Sequence, residues 1–330
     1  MELPNYFIEE SDNRLESAGF NEQRLPDFQI PEIQHADNGP NQLVSYQVFG
    51  DRGAPNLIVE STTFFTYLKN EHESVRLLSK RQVLGPNFAI VAIDSYDPAE
   101  KFSHAERKEI AHGSFAPLSQ RELAVLDQLN PGADQNIYSY GYSMAADVAV
   151  QLANDSQFNP NRGTHDIKAV GAIEMARSVD RSMLAVMGAM NSSGKRLPEN
   201  IMDSRMPALE EAWGIDGQDK YKKAVKGQVN SSVIKYILAG PANNIAMGRG
   251  FGTDTSTQQL TELLINKSMP VLVGRQRQST VCPSEVFDRL SDYTDRADLT
   301  LLEEDNDHSA DDNLRLAAAR ILYFASEVAA

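Results

Sequence analysis

The stretch NIYSYGYSMAADVAVQLA, Asn136 to Ala153, joins two periodicities at a single serine. From Ile137 to Tyr142 β-branched and aromatic residues dominate, as in a buried strand, whereas from Met144 to Ala153 apolar residues recur at the spacing of one helix face. The change of period falls on Ser143. So abrupt a strand-to-helix turn holds a side chain out at the carboxyl edge of a sheet, on a backbone that tolerates only small neighbours, here Gly141 and Ala145. A hydroxyl in that place is a candidate nucleophile if the chain also brings it a base.

On either side of this stretch, short apolar runs alternate with helical patterns. Leu43 to Phe49 alternates, a Gly-Asp-Arg-Gly turn follows, and Leu57–Ile58–Val59 reads as a buried strand. Glu73 to Leu84 has helical spacing, and Phe88 to Ser95 is a second buried strand that ends in an acid. The pattern predicts a helix over Ser119 to Leu129, with Ser119 as N-cap and Glu122 as its capping-box partner. After the opening stretch come a strand over Ile167 to Met175, another over Met269 to Gly274, a helix from Pro283 to Leu290, a strand in ADLTLLEED, and a last helix from about Asp311 to Val328. This alternation predicts an α/β fold, with a mostly parallel, doubly wound sheet and helices on both faces.

Two regions depart from the alternation. Residues 1–40 are acidic, carry four prolines and show no sustained period, which predicts an N-terminal arm that packs on the body or stays mobile. Residues 179–266 contain many Met, Gly, Asn and Ser residues, with helical fragments at Ala208 to Trp213 and Ile234 to Leu238, and predict an inserted helical cap. The core is then expected over 41–178 and 267–330. Within the insertion, Gly-Arg-Gly-Phe-Gly (Gly248 to Gly252) reads as a loop or hinge, since no buried strand leads into it. Met175, Met183, Met187, Met190, Met202 and Met206 either line an adaptable apolar pocket or pack the cap helices.

The charge balance narrows the partners. With 31 Lys and Arg against 46 Asp and Glu, the chain carries a formal net charge of −15 and offers no basic surface to follow a phosphate backbone, so no nucleic acid is expected. Its one cysteine, Cys282, excludes an internal disulfide and a zinc site built on several thiolates. No histidine–carboxylate spacing suits a metal, and neither a metal nor another cofactor is expected. No apolar run is long enough to cross a bilayer and the first twenty residues resemble no secretory signal, so the expected location is the cytoplasm. A homodimer stays open.

The order of these elements, together with GYSMA at the turn, resembles the α/β-hydrolase superfamily over roughly Gln42 to Arg177 and Lys267 to Val328. GYSMA resembles that family's nucleophile elbow, Gly-x-Ser-x-Gly, with Ala145 at the last position. MPVLVG resembles the strand that usually precedes the catalytic acid, and DLTLLEEDNDHS the last strand followed by the catalytic histidine. The resemblance implies a capped serine hydrolase, esterase or acyltransferase acting on a small-molecule acyl substrate, with Ser143 as nucleophile and His308 as general base. A serine hydroxyl needs such a base, and the imidazole needs a third group to fix its tautomer. The other five histidines, His35, His72, His104, His112 and His165, read as surface or capping residues.

Two motifs depart from the family. The loop after MPVLVG, GRQRQSTVCP, holds no carboxylate, so the acid is assigned by resemblance to the end of the preceding strand, at Glu174. The bland alternative for Glu174 is a strand-end glutamate paired with Arg177 or a loop arginine; Asp305 and Asp307 are the other acid candidates. In place of the His-Gly pair that normally supplies one oxyanion donor stand Glu60 and Ser61. The expected oxyanion hole therefore consists of the Met144 N–H with that of Thr62 or Thr63, and Phe64, Phe65 and Tyr142 are expected to shape the substrate pocket. These departures keep a second expectation open, a protein that retains the fold for binding while catalysis is weak or lost.

Overall fold

A computed structural model describes residues 1–20, 30–39, 42–62, 68, 71–96, 102–158, 165–175, 243, 246–279, 282, 284–306 and 313–329. Eight strands form one sheet in the order β1-β2-β4-β3-β5-β6-β7-β8. They are β1 (Gln34–Asp37), β2 (Leu43–Phe49), β3 (Asn56–Ser61), β4 (Phe88–Ile93), β5 (Asn136–Tyr142), β6 (Ile167–Ile173), β7 (Val271–Gln276) and β8 (Leu299–Glu304). β2 runs antiparallel to both β1 and β4, and every other neighbouring pair is parallel. The expected doubly wound α/β sheet is therefore present.

Its central strands are buried on both faces, and the pleat sorts their side chains. Leu57 and Val59 of β3 with Ala89, Val91 and Ile93 of β4 enter one apolar core, while Ile58, Ile90 and Ala92 enter the other. Helices α4 (Ala116–Leu129), α5 (Met144–Phe158), α6 (Thr255–Lys267) and α7 (Ser284–Ser291) cover the first face. Helices α1 (Asn5–Ser17), α2 (Glu71–Leu84) and α8 (Leu314–Tyr323), with a π-helical turn over Phe324–Val328, cover the second. A smaller apolar cluster unites Tyr96, Phe102, Ile110 of α3 (His104–Ala111), Phe115, Met144 and Phe251 beside the start of α5.

Four readings of the sequence are corrected. The first forty residues, read as showing no sustained period, carry two elements: α1 buries Phe7, Ser11 and Leu15 on one face, and β1 pairs with β2 from Gln34 onward. The stripe was hidden because its middle member is polar; Ser11 Oγ donates to Arg315 O at 3.3 Å, which lets a serine occupy a buried position. Helix α4 begins at Ala116, with Pro117 in its first turn, so Ser119 and Glu122 are interior residues and form no capping box. The capping box is at α3, where Ser103 accepts from Glu106 N and Glu106 reaches back to Ser103 N. Gly248 to Phe251 are helical, and a Cβ on Gly250 would overlap Ile110 O, so this glycine permits close packing and is not a hinge. Leu260, Leu263 and Leu264 of α6 belong to the main core although the residues before Lys267 read as cap. Ala208 to Trp213, Ile234 to Leu238 and the methionines from Met183 to Met206 lie outside the described residues.

Candidate active site

Four described non-glycine residues have positive φ. Two of them, Asn130 and Ser268, are the left-handed C-caps of α4 and α6, a position where such backbone is ordinary. The other two, Ser143 (φ 57°) and Glu174 (φ 56°), are not helix C-caps; they lie at the carboxyl edge of the sheet and follow β5 and β6 directly. Backbone strain that no secondary structure explains points to function.

The two residues occupy equivalent places on neighbouring strands. Tyr142 pairs with Ile173, so Ser143 and Glu174 are the next residues along each strand. Ser143 N donates to Ile173 O at 2.8 Å, and Glu174 N donates to Gly274 O, also at 2.8 Å. Each turn is thus held by a carbonyl of the neighbouring strand. At the first turn a Cβ on Gly141 would overlap the Ala145 carbonyl oxygen, which explains the glycine two positions before the serine. Ala145 is fully buried, so the methyl group that departs from Gly-x-Ser-x-Gly is accommodated in the packing. Ser143 itself is partly exposed, and Met144 opens α5, where first-turn N–H groups have no partner within the helix.

Glu174 is fully buried and accepts a hydrogen bond from the Gln276 backbone N–H. The loop arginines serve other carboxylates: Arg275 lies 3.1 Å from Glu303, and Arg277 contacts Glu2 at 3.2 Å and Glu303 at 3.4 Å. Arg177 lies outside the described residues. Of the other acid candidates, Asp305 accepts from Gln278 Nε2 at 3.2 Å, and Asp307 lies outside the described residues.

On the oxyanion side the structure corrects one expectation. The Thr62 N–H continues the sheet ladder, donating to Ile93 O at 2.8 Å, and its hydroxyl donates to Asp94 Oδ1 at 2.8 Å. Neither donor is left for an oxyanion. Asp94 Oδ1 also accepts from Leu68 N at 3.2 Å, so one carboxylate grips both ends of the segment that contains Thr63, Phe64 and Phe65. Those three residues, and His308, lie outside the described residues. Tyr142 is buried in the core shared with α2 and α8. Of the remaining histidines, His165 lies 2.8 Å from Asp127 at the opposite end of β6, His104 opens α3 and His112 is its C-cap.

Glu60 and Ser61, which replace the His-Gly pair, point to opposite faces of β3. Glu60 joins a buried ionic cluster, 2.8 Å from both Arg76 and Lys80 of α2, with Glu73 completing it at 2.5 Å from Arg76. Ser61 Oγ lies 2.7 Å from Ser95 Oγ, and both hydroxyls bond the carboxyl of Glu122 on α4. Burial pushes the Glu122 carboxyl up to about 7, against the opposing pull of the two serine hydroxyls. Sequence reasoning missed this cluster because a serine three residues before a glutamate at a helix start has the same signature as a cap.

No family model matches the chain, and no curated protein matches it. Solved structures do. The enol-lactonase from Burkholderia xenovorans LB400 is 14% identical, with 86% of this chain and 97% of that one covered and a TM-score of 0.56. An α/β hydrolase, MGS-M2, from a Medee basin deep-sea metagenome library gives a TM-score of 0.58 at 12% identity, over 87% and 95% of the two chains. A soluble variant of the Saccharomyces cerevisiae monoglyceride lipase gives 0.54 at 13% identity, over 90% and 97%. The chain has the α/β-hydrolase fold. Among the described residues no helix is long and apolar enough to cross a membrane.

Proposed function

We propose that the protein is a serine hydrolase that acts on an ester or related acyl substrate through an acyl-enzyme at Ser143. His308 is the general base, Glu174 the carboxylate that orients it, and the Met144 N–H one oxyanion donor. The observation that carries this reading is the pair of unexplained positive-φ residues, a partly exposed serine and a buried glutamate, at adjacent strand ends on the carboxyl edge of the sheet. In this fold that edge is where ligands bind and where a nucleophile elbow presents its hydroxyl. The enol-lactonase and the monoglyceride lipase that share the fold are named for acyl substrates, in keeping with an ester or lactone here.

In the proposed reaction His308 takes the Ser143 proton as Oγ attacks the acyl carbon. The developing oxyanion lies at the start of α5, where the helix dipole and the Met144 N–H stabilise it. The imidazolium then returns its proton to the leaving group, and water, or an acceptor hydroxyl in an acyltransferase, releases the acyl group. A binding protein without catalysis is the second reading, favoured by the engagement of both Thr62 donors inside the protein.

A fluorophosphonate probe separates the two. The hydrolase reading expects native protein to be labelled, with the label absent in Ser143→Ala and at least 100-fold slower in His308→Ala and Glu174→Gln. Native protein that takes no label refutes it, and an unchanged rate in Glu174→Gln moves the acid elsewhere.

A further inference from the structure

Gln276 ends β7, just before the loop where the family's acid usually lies, and it carries an amide. Its backbone N–H donates to Glu174, and its side-chain Nε2 donates to Glu304 Oε2 at 2.7 Å. Glu304 is the last residue of β8 and pairs in register with Gln276. Its carboxylate is in turn held by Arg320 of α8, whose Nε lies 3.2 Å from Oε1 and 3.0 Å from Oε2, with a further bond from the second guanidinium nitrogen to Oε2. Gln276 and Arg320 are each 1% exposed, and Glu304 is 6% exposed. One hydrogen-bonded path therefore runs across the ends of β6, β7 and β8 and onto α8.

Resting on the reading of Glu174 as the acid and His308 as the base, we propose that Gln276, Glu304 and Arg320 are positioning residues that hold the Glu174 carboxylate in its orientation. The ion pair joins two elements, since Glu304 ends β8 and Arg320 lies in α8. The same pair fixes the Gln276 amide and so the backbone N–H that the Glu174 carboxylate accepts. A buried Arg–Glu pair is a costly way to gain stability, because desolvating both charges offsets most of their attraction. It is well suited to fixing geometry, since a forked guanidinium admits few orientations of its carboxylate. The path also accounts for the acid's absence from the loop after β7: that strand end supplies the donor, and the residue after β6 supplies the carboxylate.

The test follows fluorophosphonate labelling of Ser143 against pH in the full chain, for wild type, Gln276→Ala and the double variant Glu304→Gln with Arg320→Met. The double variant removes both charges at once and leaves no buried ion unpaired; Gln276→Ala removes only an uncharged tether and keeps the test available should the double variant not fold. A carboxylate held against an imidazole raises its proton affinity. Loosening that carboxylate is therefore expected to lower the plateau rate about 10- to 100-fold and to move the midpoint of the pH profile downward, towards that of Glu174→Gln. A purely structural role changes the melting temperature but leaves the midpoint and the rate per folded molecule as in wild type, and that result overturns the proposal. If Glu174→Gln labels like wild type, the assignment of the acid falls and this inference with it. If only the Gln276 and Glu304/Arg320 variants label like wild type, the assignment stands and the inference alone fails.

Discussion

Replacing Glu122 by glutamine should make the stability of the protein less dependent on pH, by an amount that the structure sets. The carboxyl is fully buried between α4 and the ends of β3 and β4, bonded to Ser61 and Ser95, and its Oε2 has no partner among the described residues. Its affinity for a proton rises from an ordinary value of 4.5 to about 7 on folding, chiefly through burial. Because the native state binds the proton more tightly than the unfolded chain, the stabilisation is complete below pH 4.5 and is lost as pH rises through about 7. At about 1.4 kcal/mol for each tenfold step in proton affinity, the swing amounts to roughly 3 kcal/mol. Glutamine cannot ionise and keeps a carbonyl oxygen for the two hydroxyls. Urea unfolding of wild type and Glu122→Gln at pH 4 and pH 8 should therefore show the variant gaining on wild type by roughly 3 kcal/mol at the higher pH. All other titrations cancel in the difference. A stability difference that stays the same at both pH values refutes the reasoning and assigns Glu122 a charge-compensated environment.

Other perturbations have equally definite outcomes. Gly141→Ala places a methyl on the Ala145 carbonyl and should cost about 3 kcal/mol or more, read as a lower melting temperature with little soluble protein. Glu60→Leu removes the carboxylate that both Arg76 and Lys80 contact, and is expected to cost about 3 to 5 kcal/mol in urea unfolding; adding Lys80→Met should recover part of that loss. Thr62→Val removes the hydroxyl bond to Asp94 but keeps the Thr62 N–H in the ladder, so a destabilisation of about 1 kcal/mol is expected with the sheet's far-ultraviolet circular dichroism unchanged.

The elements around the site were legible because each writes its own period into the chain. Strands β3, β4, β5 and β6 are apolar on both faces, which marks them as central members of a parallel sheet, and the break at Ser143 marks the elbow. Where polar residues do unusual work, the reading went astray. Ser11 interrupts the stripe of α1 but is buried through a bond to Arg315, 304 residues away. Ser119 and Glu122 carry the spacing of a helix cap, yet they turn into the interior, where Ser119 meets Asp155 and Glu122 meets Ser61 and Ser95. Local spacing cannot tell a cap from a buried contact, because both use the same side chains and differ only in what packs opposite.

The candidate site divides in the same way. Ser143 followed from a pattern spanning fewer than twenty residues, since a turn's steric demands act on immediate neighbours, whereas Glu174 was assigned by resemblance. That the two turns lie side by side, that Thr62 spends its donors on Ile93 and Asp94, and that Gln276 serves Glu174 from 102 residues away are properties of strand order. Sequence alone determined which segments are strands and helices and where one gives way to the other, because hydrophobic periodicity and turn chemistry are local. Only the folded sheet decided which polar groups meet, because a hydrogen bond depends on a few tenths of an ångström between residues whose separation along the chain carries no trace of their contact.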